Sequence, residues 1–279
     1  MLGDEAVDSF AGRLARRLDE WASQVQDAGP TRSEGRSRLL EGRTWIDPER
    51  LRPDRALTDT IVHGLLQDLQ ATTGKVPHVL RRVEDALASG DLSTSTLLRS
   101  VLVHDDSAID GIARQAGVPT QVLHFLGGYL ARPFLAAASR EFDPQILCPE
   151  REGPGCPVCG HEAALSFLLP ETGARRLWCR YCGNGWFVPR LRCSFCSNAD
   201  RESLGYFEIE GTLGRRVDFC RRCRRYLKTI DLREVATPED AALADLEDLT
   251  TGELDAAAVE ERFCPPRAAG VTFESEPAT

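Results

Sequence analysis

Residues 156–223 read CPVCGHEAALSFLLPETGARRLWCRYCGNGWFVPRLRCSFCSNADRESLGYFEIEGTLGRRVDFCRRC and contain eight of the ten cysteines of this 279-residue chain. The eight form four Cys-x-x-Cys pairs: Cys156/Cys159, Cys179/Cys182, Cys193/Cys196 and Cys220/Cys223. Two intervening residues let both sulfurs of a pair turn toward one point. Two pairs then complete a tetrahedron of four sulfurs, which suits zinc or a single iron. We therefore predict two metal sites, each with four cysteine ligands.

The same stretch is an internal repeat. A shift of 37 residues carries the first pair onto the third, and a shift of 41 carries the second onto the fourth. Alternating apolar residues and a glycine-containing turn lie between the pairs of each copy, a pattern typical of a β-hairpin. The repeat favours sequential sites, although an exchange of pairs between the copies stays open. The sequential sites are Cys156, Cys159, Cys179 and Cys182, and Cys193, Cys196, Cys220 and Cys223.

Each copy is too small for a hydrophobic core of its own, so a bound metal must supply much of its folding energy. Iron and zinc both accept four thiolates in a tetrahedron, and the sequence leaves the choice between them open. A site saturated by four thiolates has no open position for water or substrate, which argues against metal-assisted hydrolysis.

The first half of the chain predicts a helical bundle. Apolar residues recur every three or four positions in several segments, for example Leu14, Leu18 and Trp21, which is the spacing of an amphipathic helix. Pro133 predicts a break or kink in the last of these helices, and Gly127-Gly128 indicates close packing or a bend there.

The fold class that follows is α+β, with a helical domain before two rubredoxin- or zinc-ribbon-like modules and a C-terminal helix. The predicted units are a helical domain (1–147), a first four-cysteine module (153–190), a second module (191–228), a C-terminal helical segment (229–262) and a mobile tail (263–279).

Composition predicts a cytoplasmic protein. The hydrophobic share is 42% and the charged share 28%, ordinary values for a globular chain. The chain has no run of about 18 apolar residues, so no transmembrane helix is predicted. The acidic N-terminus lacks the pattern of a secretory signal. In a reducing compartment paired cysteines favour metal ligation over disulfides. Cys148 and Cys264 lie outside the repeat and are predicted to be free or buried thiols.

The net charge of −9 weighs against nucleic acid as a partner. The charge is uneven, because residues 190–228 hold ten basic and five acidic residues, whereas residues 229–262 hold two and eleven. A partner could dock on the basic residues; the alternatives are a solvated face or an internal match to the acidic segment. The basic residues concerned are Arg215, Arg216, Arg221, Arg222, Arg224 and Arg225.

The order of these motifs resembles the formate dehydrogenase accessory protein family, FdhE-like. The likeness rests on Cys156-Pro157-Val158-Cys159-Gly160, on Trp186, Arg190 and Cys193 in the spacing Trp-x3-Arg-x2-Cys, and on Tyr226-Leu227-Lys228 after the fourth pair. The alanine- and aspartate-rich helix usual in the family is matched only approximately, by residues 241–246.

The resemblance implies an assembly factor that binds the catalytic subunit of a respiratory formate dehydrogenase before export and is not itself an enzyme. It also implies iron or zinc in rubredoxin-like sites. Two other functions stay open: a zinc-ribbon nucleic-acid binder and a rubredoxin-like electron carrier. The oligomeric state is left open.

Overall fold

A computed structural model describes residues 10–26, 29–73, 78–143, 155–235 and 241–266. Helices fill the first half and a six-stranded sheet follows, so the predicted α+β class is confirmed. The helices are α1 (Phe10–Gln24), α2 (Arg32–Leu40), α3 (Arg55–Thr73), α4 (His78–Ser89), α5 (Thr94–Leu102), α6 (Asp106–Ala116), α7 (Thr120–Ala138), α8 (Ala241–Thr250) and α9 (Gly252–Glu260). None of the helices in the described ranges combines the length and the apolar composition that a bilayer crossing requires.

The helical half follows from apolar stripes bounded by capping residues. Leu14, Leu18 and Trp21 of α1 are all buried, as their spacing predicts. The Ser93 hydroxyl accepts a hydrogen bond from the Thr96 amide at the start of α5, which satisfies an amide that has no partner inside the helix. These local signals explain why the predicted helices form where they do.

Helix α7 is the centre of the helical core. It is buried on almost every side, and α1, α3, α5 and α6 all pack against it. Of the break or kink predicted at Pro133, the break is wrong, because the helix continues through the proline to Ala138. A proline removes one backbone hydrogen bond and crowds the preceding turn. Packing from four neighbouring helices holds the segment helical in spite of that cost.

Helix α2 was not predicted from the sequence, whereas α9 lies inside the predicted C-terminal helical segment (229–262). In α2 only Gly35 and Leu39 are buried, so the segment has no apolar stripe. Its start is fixed instead by a capping box, in which Thr31 and Glu34 satisfy each other's backbone amides. That box is the sequence signal that could have located α2.

The sheet joins both cysteine modules into one layer. Its strands are β1 (Leu165–Leu168), β2 (Arg175–Trp178), β3 (Gly185–Val188), β4 (Leu204–Glu208), β5 (Arg215–Cys220) and β6 (Arg225–Asp231). Within each module the strands pair antiparallel, and the order across the sheet is β3-β2-β1-β6-β5-β4. Strands β1 and β6 are parallel neighbours, with Leu165 opposite Lys228. The two modules therefore share one continuous sheet.

The predicted unit boundaries remain predictions. Two observations concern the end of the second module and the start of the predicted tail. Strand β6 runs past residue 228, where the second module was expected to end. Phe263, placed in the predicted tail, is buried and stacks on Phe219 with ring centroids 4.6 Å apart. The rest of that tail, 267–279, lies outside the described residues.

Candidate metal centres

The first cysteine cluster lies where the first module meets the helical core. Cys156 and Cys159 precede β1, whereas Cys179 and Cys182 follow β2. The four sulfurs all lie within 4.8 Å of one another. Across the cluster, the Cys156 and Cys182 sulfurs are 3.6 Å apart, and the Cys159 and Cys179 sulfurs are 3.5 Å apart.

The second cluster repeats this arrangement with β4 and β5. Its four sulfurs also lie within 4.8 Å of one another. The Cys193 and Cys223 sulfurs are 3.7 Å apart, and the Cys196 and Cys220 sulfurs are 3.8 Å apart. Both clusters group the cysteines in sequential order rather than exchanging pairs between the copies.

Both clusters have the dimensions of a tetrahedral metal site. Metal–sulfur bonds of about 2.3 Å in a tetrahedron place neighbouring sulfurs roughly 3.8 Å apart. The measured separations of 3.5 to 3.8 Å are close to that value, whereas a disulfide needs about 2.05 Å. Each cluster could therefore hold one metal ion.

In the first cysteine pair of each module, a backbone amide donates to the sulfur of the first cysteine. The Val158 amide donates to the Cys156 sulfur, and the Phe195 amide donates to the Cys193 sulfur, both at 3.4 Å. Amides directed at a sulfur favour its thiolate form. The two-residue spacing between paired cysteines thus gives the same N–H···S contact in both modules.

The residue that directly follows each Cys-x-x-Cys pair has a left-handed backbone conformation. In the first module both positions are glycines, Gly160 with φ 88° and Gly183 with φ 73°. In the second module they are Ser197 and Arg224, each with φ 57°. Residues with a Cβ atom are strained in this region, whereas glycine is not. The second module therefore reaches the same turn at a higher conformational cost.

Burial opposes the ionisation of two thiols in the first cluster. Burial raises the pKa of Cys156 and of Cys159 well above the ordinary value. Burial also opposes ionisation of Cys182, yet hydrogen bonds from the other three thiols lower its pKa. In the second cluster, a hydrogen bond from Cys223 lowers the pKa of Cys193 to about 5. A bound cation would supply the charge that four neighbouring thiolates need.

Residues of the helical half form hydrogen bonds with the backbone of the first cysteine pair. The Trp45 amide donates to the Pro157 carbonyl at 2.8 Å, and the Ile46 amide donates to the Val158 carbonyl at 2.9 Å. Nε2 of His104 lies 3.0 Å from the Cys159 carbonyl. These contacts join the start of the module to two separate loops of the helical half.

A stack of three rings covers the same cluster. His161 lies between His104 and Tyr181, with ring centroids 3.9 Å and 3.8 Å away. Its Nε2 is 3.1 Å from the Val101 carbonyl at the end of α5. Burial lowers the pKa of His161 to about 3, so this ring is neutral near pH 7. The sequence carried no signal for this stack, because its members are distant in the chain.

Acidic residues of α8 hold the second pair of the first cluster. The Arg180 side chain, within that pair, forms an ion pair with Asp248. Arg132 of α7 donates to the Arg180 carbonyl and pairs with Asp245 at 3.1 Å. Lys228 of β6 lies 3.3 Å from Asp248. Helix α8 thus connects the cysteine turn, the sheet and the helical core through largely buried charges.

The second cluster is less buried than the first. Cys193 and Cys220 are buried, but Cys196 and Cys223 are only partly so. All four cysteines of the first site belong to the main hydrophobic core, whereas in the described part of the chain only Phe195 of the second site's first turn packs against that core. The two sites therefore share a ligand set and differ in surroundings.

The predicted basic docking face is partly used inside the protein. Arg215 pairs with Glu247 of α8, and Arg225 pairs with Glu162. Arg224 donates to the carbonyls of Glu261 and Arg262, which agrees with the alternative of an internal match to the acidic segment. Arg221 and Arg222 are exposed.

Cys148 and Cys264 are the two cysteines outside the repeat. Cys264 is a free, partly buried thiol whose backbone bridges to Arg225, as predicted. Cys148 lies outside the described residues.

Three comparisons with known proteins bear on identity. No protein-family model matches the chain. A protein named FdhE homolog from Aquifex aeolicus (strain VF5) is 36% identical over 111 residues, which cover 39% of this chain and 38% of that protein. An FdhE homolog from Serratia proteamaculans (strain 568) is 35% identical over 111 residues, covering 39% of this chain and 34% of that protein. The resemblance to FdhE-like proteins is confirmed.

The crystal structure of the FdhE protein from Pseudomonas aeruginosa extends the likeness to the fold. It matches 91% of this chain and 85% of its own, with a TM-score of 0.59 and 19% sequence identity. At that identity the match shows a shared FdhE fold. In sequence, the matched stretch spans little more than a third of each FdhE relative's length.

Proposed function

We propose that this chain is an accessory protein for the maturation of formate dehydrogenase and binds the catalytic subunit in the cytoplasm before export. The observation that carries the proposal is the FdhE fold over 91% of the chain, together with two four-cysteine clusters. In this role the protein recognises another protein and is not itself an enzyme.

The eight clustered cysteines are proposed as the ligands of two metal ions. Each would donate one thiolate, in the two sets Cys156, Cys159, Cys179, Cys182 and Cys193, Cys196, Cys220, Cys223. Either iron or zinc fits four sulfurs at these separations. When bound, the ion supplies charge to the buried sulfurs and stabilises a module that has little core of its own.

Co-purification tests the proposed partner. A tagged full-length chain is expressed with an untagged formate dehydrogenase catalytic subunit, and the eluate is analysed by mass spectrometry. We expect the subunit to be retained. An unrelated molybdoenzyme subunit serves as the control, and equal retention of both, or of neither, contradicts the proposal.

A charge reversal tests the docking face at its two exposed residues. Arg221→Glu with Arg222→Glu alters two exposed side chains, and we expect weaker retention of the catalytic subunit. Arg81→Glu with Arg82→Glu changes an adjacent, equally exposed pair on α4 and is the matched control. Unchanged retention by the first variant places the partner elsewhere on the surface.

Metal analysis separates the iron and zinc alternatives. Protein purified anaerobically is assayed for metal content and visible absorption. We expect two ions per chain. A colourless protein with two zinc ions rules out the rubredoxin-like electron carrier, whereas iron with thiolate absorption keeps that alternative in contention.

A further inference from the structure

The two clusters have the same ligands but different access to solvent. No sulfur-bearing residue of the first cluster is more than 3% exposed. In the second cluster, one residue from each pair, Cys196 and Cys223, is only partly buried. An external molecule thus meets two ligands of the second site, which come from two different turns.

A groove borders the second site. It has a volume of about 380 Å³, and Cys193 and Cys220 are among the residues that line it. Exposed Arg190 and Arg192 stand on its wall. Of the four cysteines in this site, the two most buried ones therefore border a space large enough for a small donor molecule.

The Cys193–Cys196 turn of the second site is also easier to open, whereas the Cys220–Cys223 turn is tied to residues 261–264 through Arg224. Ser197 and Arg224 hold left-handed backbone angles that glycine occupies in the first site, so opening a turn relieves strain there. Opening the first site breaks more contacts with the rest of the protein. Its turns must first release the backbone bonds from Trp45 and Ile46 and the Arg180–Asp248 ion pair.

We propose that the second site, and not the first, is open to ligand exchange: an external sulfur or nitrogen donor can reach its ion and replace Cys196 or Cys223. The incoming donor supplies the electron pair of the new bond. The displaced thiolate takes a proton from water, and the oxidation state of the ion does not change. This inference rests on the proposed binding of two ions.

Chelator kinetics test the inference on the full-length protein loaded with two zinc ions. Pyridylazoresorcinol is added in excess, and its complex with zinc is followed by absorbance. We expect two phases of one equivalent each. The first should be roughly 100-fold faster, because the second site is more exposed and its opening relieves two strained turns. Far-UV circular dichroism should keep its helical signal through the fast phase. A single phase of two equivalents, or loss of helix with the first ion, overturns the inference.

Variants assign the fast phase to its site. Cys196→Ser should remove the fast equivalent and leave the slow one. Ser197→Gly relieves one strained turn and should slow the fast phase about fivefold. Ser197→Ala keeps the Cβ atom and should not slow it. A fast phase that persists in Cys196→Ser, or that slows equally in both Ser197 variants, contradicts the proposal.

Thiol alkylation gives a readout that does not depend on chelators. Brief iodoacetamide treatment followed by peptide mass spectrometry should label Cys196 and Cys223 before any cysteine of the first site. Equal labelling of both sites overturns the inference. A preparation with fewer than two ions per chain contradicts the proposed two-ion scaffold instead, so the two failures are distinguishable.

Discussion

Replacement of Asp248 by asparagine tests whether α8 stabilises the first metal centre. The Asp248 side chain is fully buried and faces two cations, Arg180 and Lys228. Lys228 keeps a second carboxylate, Asp255, at 2.9 Å, so the variant leaves mainly the Arg180 charge uncompensated. Removing one partner of a buried ion pair costs about 3–5 kcal/mol, and we expect the low end, about 3 kcal/mol.

The assay is urea denaturation of metal-loaded protein followed by far-UV circular dichroism. Asp85→Asn on α4 is the matched control, because Asp85 is exposed and such changes stay within about 0.5 kcal/mol. A loss below about 1 kcal/mol in Asp248→Asn would refute the idea that this charge network carries stability.

The pH dependence adds an independent check. Burial raises the pKa of Asp248, but Arg180 and Lys228 lower it further, so it lies below the ordinary value. A carboxylate with a depressed pKa stabilises the fold above its unfolded pKa of about 3.9 and loses that contribution as pH falls through the folded value. The difference between wild type and Asp248→Asn should therefore persist at neutral pH and shrink only in strong acid.

Four further predictions concern other features of the molecule. Burial raises the pKa of Asp245 to about 6 in spite of Arg132, so the wild type should lose stability, by up to about 3 kcal/mol, as pH rises from 4 to 7; Asp245→Asn should flatten that slope in urea denaturation. Gly127→Ala places a Cβ atom 2.7 Å from a Val101 methyl and should cost about 1–3 kcal/mol. Gly128→Ala meets only ordinary contacts and should raise the thermal midpoint, through a gain of about 1 kcal/mol in helix propensity. Cys264→Ser should leave the measured metal content at two ions per chain, because that thiol lies outside both clusters.

Local patterns in the sequence predict what depends on local physics. The stripe of α1 and the two hairpins come from apolar spacing and turn residues, which act within a few positions of the chain. The eight cysteines are predictable for the same reason, since two residues between ligands fix the turn. Helix α2 has too few buried residues for such a stripe, and a search for capping boxes would have found it.

Long-range contacts could not be predicted in this way. The rings of His104 and His161 have centroids 3.9 Å apart although 57 positions separate them, and no local pattern in the sequence connects the two. Pro133 illustrates the opposite failure, because a strong local signal for a helix break is overruled by packing around α7. The sequence left Arg215 available to a partner protein, but in the structure Arg215 forms an ion pair with Glu247 of α8.

The parallel pairing of β1 with β6 has a consequence during synthesis. Residues 165–168 leave the ribosome well before residues 225–231, which form their neighbouring strand. Until the later residues emerge, the inner edge of the first hairpin has unpaired amides and carbonyls, and such an edge can pair with another chain. The nascent protein therefore has an interval in which its earliest strands are vulnerable to misassembly, and only completion of the sixth strand closes it.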